Sequence, residues 1–279
     1  MAEPFGIVAG AIGIASAFTA CVDCFEYVQF GRHFGRDFET SQLALNCARL
    51  RLTRWGESVN IYDDPQLGRQ NATAAEIQLA KDALLQILVL FADTESISKK
   101  YKLTAKGSED LSAYLTGDVD PKMVVLDNKM KSLATQRQKK GRFLQLTSWA
   151  LYHKSTLKDL LEQIVSLLDE IEKLFSAPQA QTTLVQQEAA EIGDKQSLKL
   201  IEDAATDVDT LLQNTVKEVI RGHQYSNISI KGQAHTGDAY SSDWIMGAIG
   251  GSHNYDGIEV AVGGKALIGN KYGGKDFWD

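Results

Sequence analysis

The chain has 279 residues, 44% of them hydrophobic and 23% charged, with a net charge of −7. That is enough for one large core plus an appendage, in a composition typical of globular proteins. The acidic balance leaves no basic surplus to neutralise phosphates and excludes a nucleic-acid partner.

From Phe5 to Val22 the sequence FGIVAGAIGIASAFTACV carries no charge, bounded by Glu3 and Asp23. Glu3 stands where a secretory leader would place Lys or Arg, so the segment does not read as a cleaved signal. As a permanent span it is marginal. Its length as a helix is about 27 Å, against a hydrocarbon core of about 30 Å, and Gly, Ala and Ser temper the pull of its Ile, Val and Phe toward lipid. Such a segment is expected to be a core helix at rest that can be exchanged for lipid. Its inserting residues are then Phe5, Gly6, Ile7, Val8, Gly10, Ile12, Gly13, Ile14, Phe18 and Val22, with Gly6-xxx-Gly10 permitting close helix packing. Cys21 and Cys24 have the spacing of a redox or metal pair. No second pair and no histidine at ligand spacing accompany them, so two inert helical cysteines are expected. With Cys47 the count is odd, which fits free thiols in a reducing compartment.

Helix then follows helix to about residue 220. Leu43, Ala44, Cys47, Leu50 and Trp55 give one apolar stripe, and Ile77, Ala80, Leu84, Ile87, Leu88 and Phe91 another, at spacings of three and four. The strongest stripe is Leu157, Leu160, Leu161, Ile164, Leu167, Leu168, Ile171 and Phe175, with Ser155 as its candidate cap. Paired carboxylates such as Asp169-Glu170 read as its solvated face. A single last helix is expected through SLKLIEDAATDVDTLLQNTVKEVI, and breaks at Asp64-Pro65, Gly117 to Pro121 and Ala177-Pro178. The basic run Arg137, Lys139, Lys140 and Arg142 reads as a solvated helix end; attraction to anionic headgroups is the alternative.

Past Gly222 the composition changes. Twelve of the 23 glycines fall in the last 58 residues, Gly222 included, no proline follows Pro178, and short alternating runs replace helical periodicity. Residues 228–240 (ISIKGQAHTGDAY) align without gaps on 260–272 (VAVGGKALIGNKY) at an offset of 32. Gly232, Ala234, Gly237 and Tyr240 match Gly264, Ala266, Gly269 and Tyr272. Ile228 and Ile230 face Val260 and Val262, and Asp238 faces Asn270. Two repeats are too few to bury an apolar face alone, so further copies are expected from other molecules, stacked about 4.7 Å apart. A small folded β appendage or a disordered tail is the alternative.

The strings EPFGIVAGAIGIA, CVDCFEYVQFGRHFGRDFE, RLTRWGE, WALYHKS and LIGNKYGGKDFWD, spread over nearly the whole chain, resemble the fungal HET-S/HET-s proteins. The resemblance implies an all-α helical bundle, the HeLo domain, over 1–220, and a tail over 221–279. That tail is disordered until templated into a two-rung β-solenoid amyloid, and the resemblance adds Leu267, Ile268, Phe277 and Trp278 to its core. The implied template is the s-type prion form or an activated NOD-like receptor with a similar motif. In the killing type, templating destabilises the HeLo domain and sends the first helix into the membrane, where oligomers permeabilise the cell. The s-type carries proline where this chain has His33, so His33, with Asp23, implies the killing type. A proline there would disturb a helix continuing past Gly31. Implied partners are the chain itself, as amyloid, membrane oligomer or HeLo dimer, and membrane lipid on activation. The implied location is cytoplasmic at rest and the plasma membrane when active.

The tail departs from the family's pattern: Lys231/Gly263, Gln233/Lys265 and His235/Leu267 offer no opposite-charge pairs between repeats. The other class of function is a non-toxic prion-type adaptor that relays an amyloid signal. An enzyme is not expected. The chain contains no Gly-rich phosphate loop, nucleophile elbow or HExxH, and its five histidines share no ligand spacing. No cofactor is implied.

Overall fold

The computed structural model describes residues 12–34, 38–105, 110–114, 119–138, 147–237 and 253–269. Helix α1 (Ile14–Glu26) follows Gly13, which is extended at φ −74°, ψ 166°. The uncharged segment is therefore not one helix from Phe5 to Val22. The helix begins at Ile14 and runs past Val22 to Glu26. Every residue from Ala17 to Phe25 is buried, the polar Thr19 and Asp23 included, so the helix is covered on all sides.

Strand β1 (Val28–Phe30) and a 3-10 turn (Arg32–Phe34) lead to α2 (Phe38–Ser58). Helix α3 (Ala74–Thr104) opens with a capping box, in which the Thr73 hydroxyl accepts from the Glu76 N–H and the Glu76 carboxylate accepts from the Thr73 N–H. Pro121 and Pro178 start α4 (Pro121–Gln136) and α6 (Pro178–Ile192), where their missing N–H costs nothing. Between them lie β2 (Trp149–Leu151), parallel to β1, and α5 (Lys154–Leu174). The stripe read for α5 is buried apart from a half-exposed Leu167. Its first flanking residue is His153, which makes no side-chain cap bond, and Ser155 lies inside the helix.

The expected single last helix is two: α7 (Lys195–Ala204), capped by Asp194, and α8 (Thr210–Arg221), capped by Asp209. Asp and Thr at 206–210 favour local side-chain bonds over an unbroken helix. The Asp209 carboxylate accepts from the Leu212 N–H at 3.1 Å, starting the helix anew.

Helix α2 runs through the middle, touching α1, α4, α5, α6 and α7, while α3 packs on α1 and α5. A central helix must bury all its sides. Accordingly Leu43, Leu50, Leu52 and Trp55 are buried together with Arg49 and Arg54, two charges that an apolar stripe could not predict.

Beyond Gly222, β3 (His223–Ser226), β4 (Ser229–Ile230) and β5 (Gln233–Thr236) pair in parallel with β6 (His253–Asp256), β7 (Glu259–Val260) and β8 (Lys265–Ile268). The register differs from the sequence alignment. His223 pairs with His253, Tyr225 with Tyr255 and Ile230 with Val260, an offset of 30; from Gln233 with Lys265 onward it is 32. Ile230 thus faces Val260 rather than Val262, and Ile228 comes level with Ile258. The two extra residues are taken up in a turn where Val262 is fully exposed and Gly263 has φ +85°. Among the described residues the repeat reaches back before residue 228, to the histidine pair. An ungapped comparison could not see this, because the insertion shifts the upstream half.

Candidate functional site

The site is the bed of α1 and the ties that hold it. Phe18 lies against Trp55 and Tyr62, with ring centroids 6.4 and 5.7 Å away, and Phe25 meets Phe91 edge-to-face at 4.9 Å. Burying an aromatic or aliphatic side chain of this size contributes about 1.5–3 kcal/mol, so Phe18, Val22 and Phe25 together hold the helix by several kcal/mol.

Specific polar ties add to this packing. The Thr19 hydroxyl donates to the Ala15 carbonyl at 2.9 Å and is hydrogen-bonded to the Tyr62 hydroxyl at 2.9 Å. Asp23, 4% exposed, accepts from the Gln138 amide at 2.7 Å, and the same amide reaches the Thr19 carbonyl at 3.3 Å. At the end of the helix Glu26 pairs with buried Arg49 at 2.6 Å. The thiols of Cys21, Cys24 and Cys47 are free and buried. Burial pushes the Cys21 and Cys24 thiols up, with the Asp23 charge adding to it, so they stay protonated.

After α1 the chain is stitched into a small sheet. The Trp149 N–H donates to the Tyr27 carbonyl at 2.9 Å and the Gly31 N–H to the Leu151 carbonyl at 2.8 Å. His33 sits in the 3-10 turn that follows, beside Arg32, whose N–H donates to the Ser112 carbonyl. Helix α1 ends at Glu26 and position 33 lies in a three-residue 3-10 turn, so the sequence argument about proline at 33, which assumed a helix continuing past Gly31, has the wrong local structure.

Of the residues assigned to membrane insertion, Ile12 and Gly13 precede the helix, and Ile14, Phe18 and Val22 lie in it. Phe5, Gly6, Ile7, Val8 and Gly10 fall outside the described residues. Of the tail set, Ile230 is buried, Ile228, Ala234, Ala266 and Leu267 are half-buried, and Val260 and Ile268 are exposed. Gly232 and Gly264 immediately precede β5 and β8. Gly237 and Gly269 have φ of +129° and +113°, a region that side-chain-bearing residues avoid. Asp238, Tyr240, Asn270, Tyr272, Phe277 and Trp278 fall outside the described residues.

Sequence reasoning missed a buried ion cluster. The Arg54 side chain, 2% exposed, donates to both oxygens of Glu188 at 3.0 and 2.8 Å and to both of Asp209 at 3.2 and 2.5 Å. Burial alone would lower the Arg54 guanidinium, but Asp209 and Glu188 outweigh it and hold it above its ordinary range. Arg137 also pairs with Glu188, and with Glu57 at 2.7 Å. Its side chain is 6% exposed, so Arg137 is neither a solvated helix end nor a headgroup contact; Lys139, Lys140 and Arg142 fall outside the described residues. The available signal was the unusual density of Arg49, Arg51 and Arg54 on a helix with a strong apolar stripe.

A family model described as HeLo, prion-inhibition and propagation, matches residues 6–201. The chain belongs to the HeLo family. Heterokaryon incompatibility protein S of Podospora anserina is 38% identical over 289 residues, covering 100% of both chains. Heterokaryon incompatibility protein s of the same organism is 37% identical with the same coverage. Among solved structures, the HET-S N-terminal domain superposes with a TM-score of 0.72 at 40% identity, covering 77% of this chain and 97% of that one. A HET-s N-terminal domain carrying two substitutions, an aspartate to alanine and a proline to histidine, gives 0.68 at 38% identity over 74% and 97%. The helical part is thus a HeLo fold. The family model's match ends within α7, and α8 leads from the bundle to the repeats.

Proposed function

We propose that the chain acts in heterokaryon incompatibility as a cell-death effector. Stacking of its tail on an amyloid template frees the leading helix, which enters the plasma membrane and permeabilises it; at rest the protein is cytoplasmic. The template is the s-type prion form of a relative or a receptor carrying a similar motif. The observation that carries this reading is α1: a largely apolar helix, buried from Ala17 to Phe25, that begins inside an uncharged stretch of sequence. Among the described residues no helix is long and apolar enough to cross a membrane. The thirteen residues of α1 reach about 20 Å, so spanning requires Gly13 to leave its extended conformation and the residues before it to join the helix. Insertion is therefore a refolding step, which keeps the resting protein harmless.

Full-chain protein is mixed with dye-loaded liposomes, with and without sonicated fibrils of the same chain. Release is expected with fibrils only. Ile14→Lys, which places a charge near the bilayer centre at a cost of about 2.5–3.5 kcal/mol, is expected to assemble normally and release no dye. Assembly beside intact vesicles in the parent protein would contradict the effector and leave the adaptor.

A further inference from the structure

Asp209 caps α8, and α8 hands the chain at Gly222 to β3. The other end of the molecule is a short series of polar contacts away. Asp209 is held by Arg54 of α2; Arg54 is also held by Glu188 of α6; Glu188 is shared with Arg137 at the end of α4. The next residue, Gln138, donates to Asp23 and to the Thr19 carbonyl of α1. The geometry points to a polar relay, Asp209–Arg54–Glu188–Arg137–Gln138–Asp23, by which departure of α8 loosens α1. It deepens the proposed function by naming the route from tail to leading helix, and it rests on that reading only for its purpose.

Three features make the cluster act as a unit. Arg54, Glu188 and Asp209 have side-chain exposures of 2%, 0% and 1%, so none can turn to water when a partner leaves. A buried charge stripped of its partner must find another or drag its neighbours. Glu188 is the pivot, since it serves both arginines; when Asp209 leaves, Arg54 claims Glu188 fully and Arg137 is left with Glu57 of α2. Arg137 and Gln138 are adjacent, and the Gln138 N–H donates to the Thr135 carbonyl at the end of α4, so a shift of one moves the other. The apolar route from α8, through Leu212 and Val216 into the core, is the competing explanation for any coupling.

Hydrogen exchange read by mass spectrometry on the full soluble chain tests the relay. Asp209→Asn keeps the capping oxygen and the apolar face of α8 while removing the charge. We expect amide exchange in 14–26 to rise at least tenfold, with α3 and α5 unchanged. In a Gln138→Leu background, where the last link is cut, adding Asp209→Asn should speed α1 no further. Unchanged α1 exchange, additive effects in the double variant, or equal acceleration of all helices would overturn the relay. If Asp209→Asn does not fold, Asp209→Ser gives the same readout with a weaker cap. These results need neither fibrils nor lipid. A failure of dye release with exchange as expected would remove the effector reading and keep the relay, and the converse would remove the relay alone.

Discussion

Phe18 of α1 lies on the bare Cα of Gly56 in α2: a Cβ added at Gly56 would meet the Phe18 ring at 2.4 Å. The ring has nowhere to go, being fully buried between Trp55 and Tyr62. Overpacking a filled core costs about 1–3 kcal/mol, and the better helix propensity of alanine returns about 1 kcal/mol. Gly56→Ala is therefore expected to lose up to about 2 kcal/mol in denaturant unfolding. A gain in stability would show that Phe18 is not confined.

The Arg54 cluster predicts a larger effect. Arg54→Met fits the volume but leaves Glu188 and Asp209 buried without their cation. Breaking a buried pair from one side costs about 3–5 kcal/mol. The midpoint of urea unfolding should fall accordingly, and α8, whose cap is Asp209, should lose its protection first.

The cap of α3 gives a pH dependence with a definite sign. Hydrogen bonds from the Thr73 backbone and hydroxyl, then Arg69, lower the Glu76 carboxyl from 4.5 to about 2. A carboxyl depressed in the folded state stabilises it at pH values above the unfolded pKa, and that contribution disappears as pH falls from about 4.5 toward 2. Glu76→Gln should thus be less stable than the parent at neutral pH, with the gap closing over that interval. A gap independent of pH would mean that the carboxylate charge does not act there.

Helix content was readable wherever burial follows a simple period. The α5 stripe from Leu157 to Phe175 and the α3 stripe from Ile77 to Phe91 lie where their spacing puts them. What spacing cannot reveal is chemistry between distant segments. Arg54, Glu188 and Asp209 lie 155 positions apart at the extremes, and each alone resembles a solvated charge. The start of α1 was illegible for another reason: Gly13 adopts extended or helical backbone at little cost, so an uncharged run does not say where the helix begins. In the tail, Val262 and Gly263 split one repeat into two registers, and an ungapped alignment sees only the second.

That register is testable. Deleting Val262 and Gly263 removes an exposed turn while leaving the pairs Ile230 with Val260 and Ala234 with Ala266 intact. Seeded fibril growth should survive the deletion. Ile230→Asp, which buries a charge where the chain is 5% exposed, should abolish growth. The opposite pattern would restore the uniform 32-residue register.

Alkylation of Cys21 and Cys24 in the full chain, without lipid and before and after seeded assembly of the tail, tests the release of α1 most directly. Both thiols are buried on α1 and held protonated by their surroundings. The account predicts no labelling at pH 7.5 (about one unit below an unperturbed thiol pKa) in the resting protein and labelling of both once fibrils form. Full protection of both thiols in protein whose tail has assembled would contradict it.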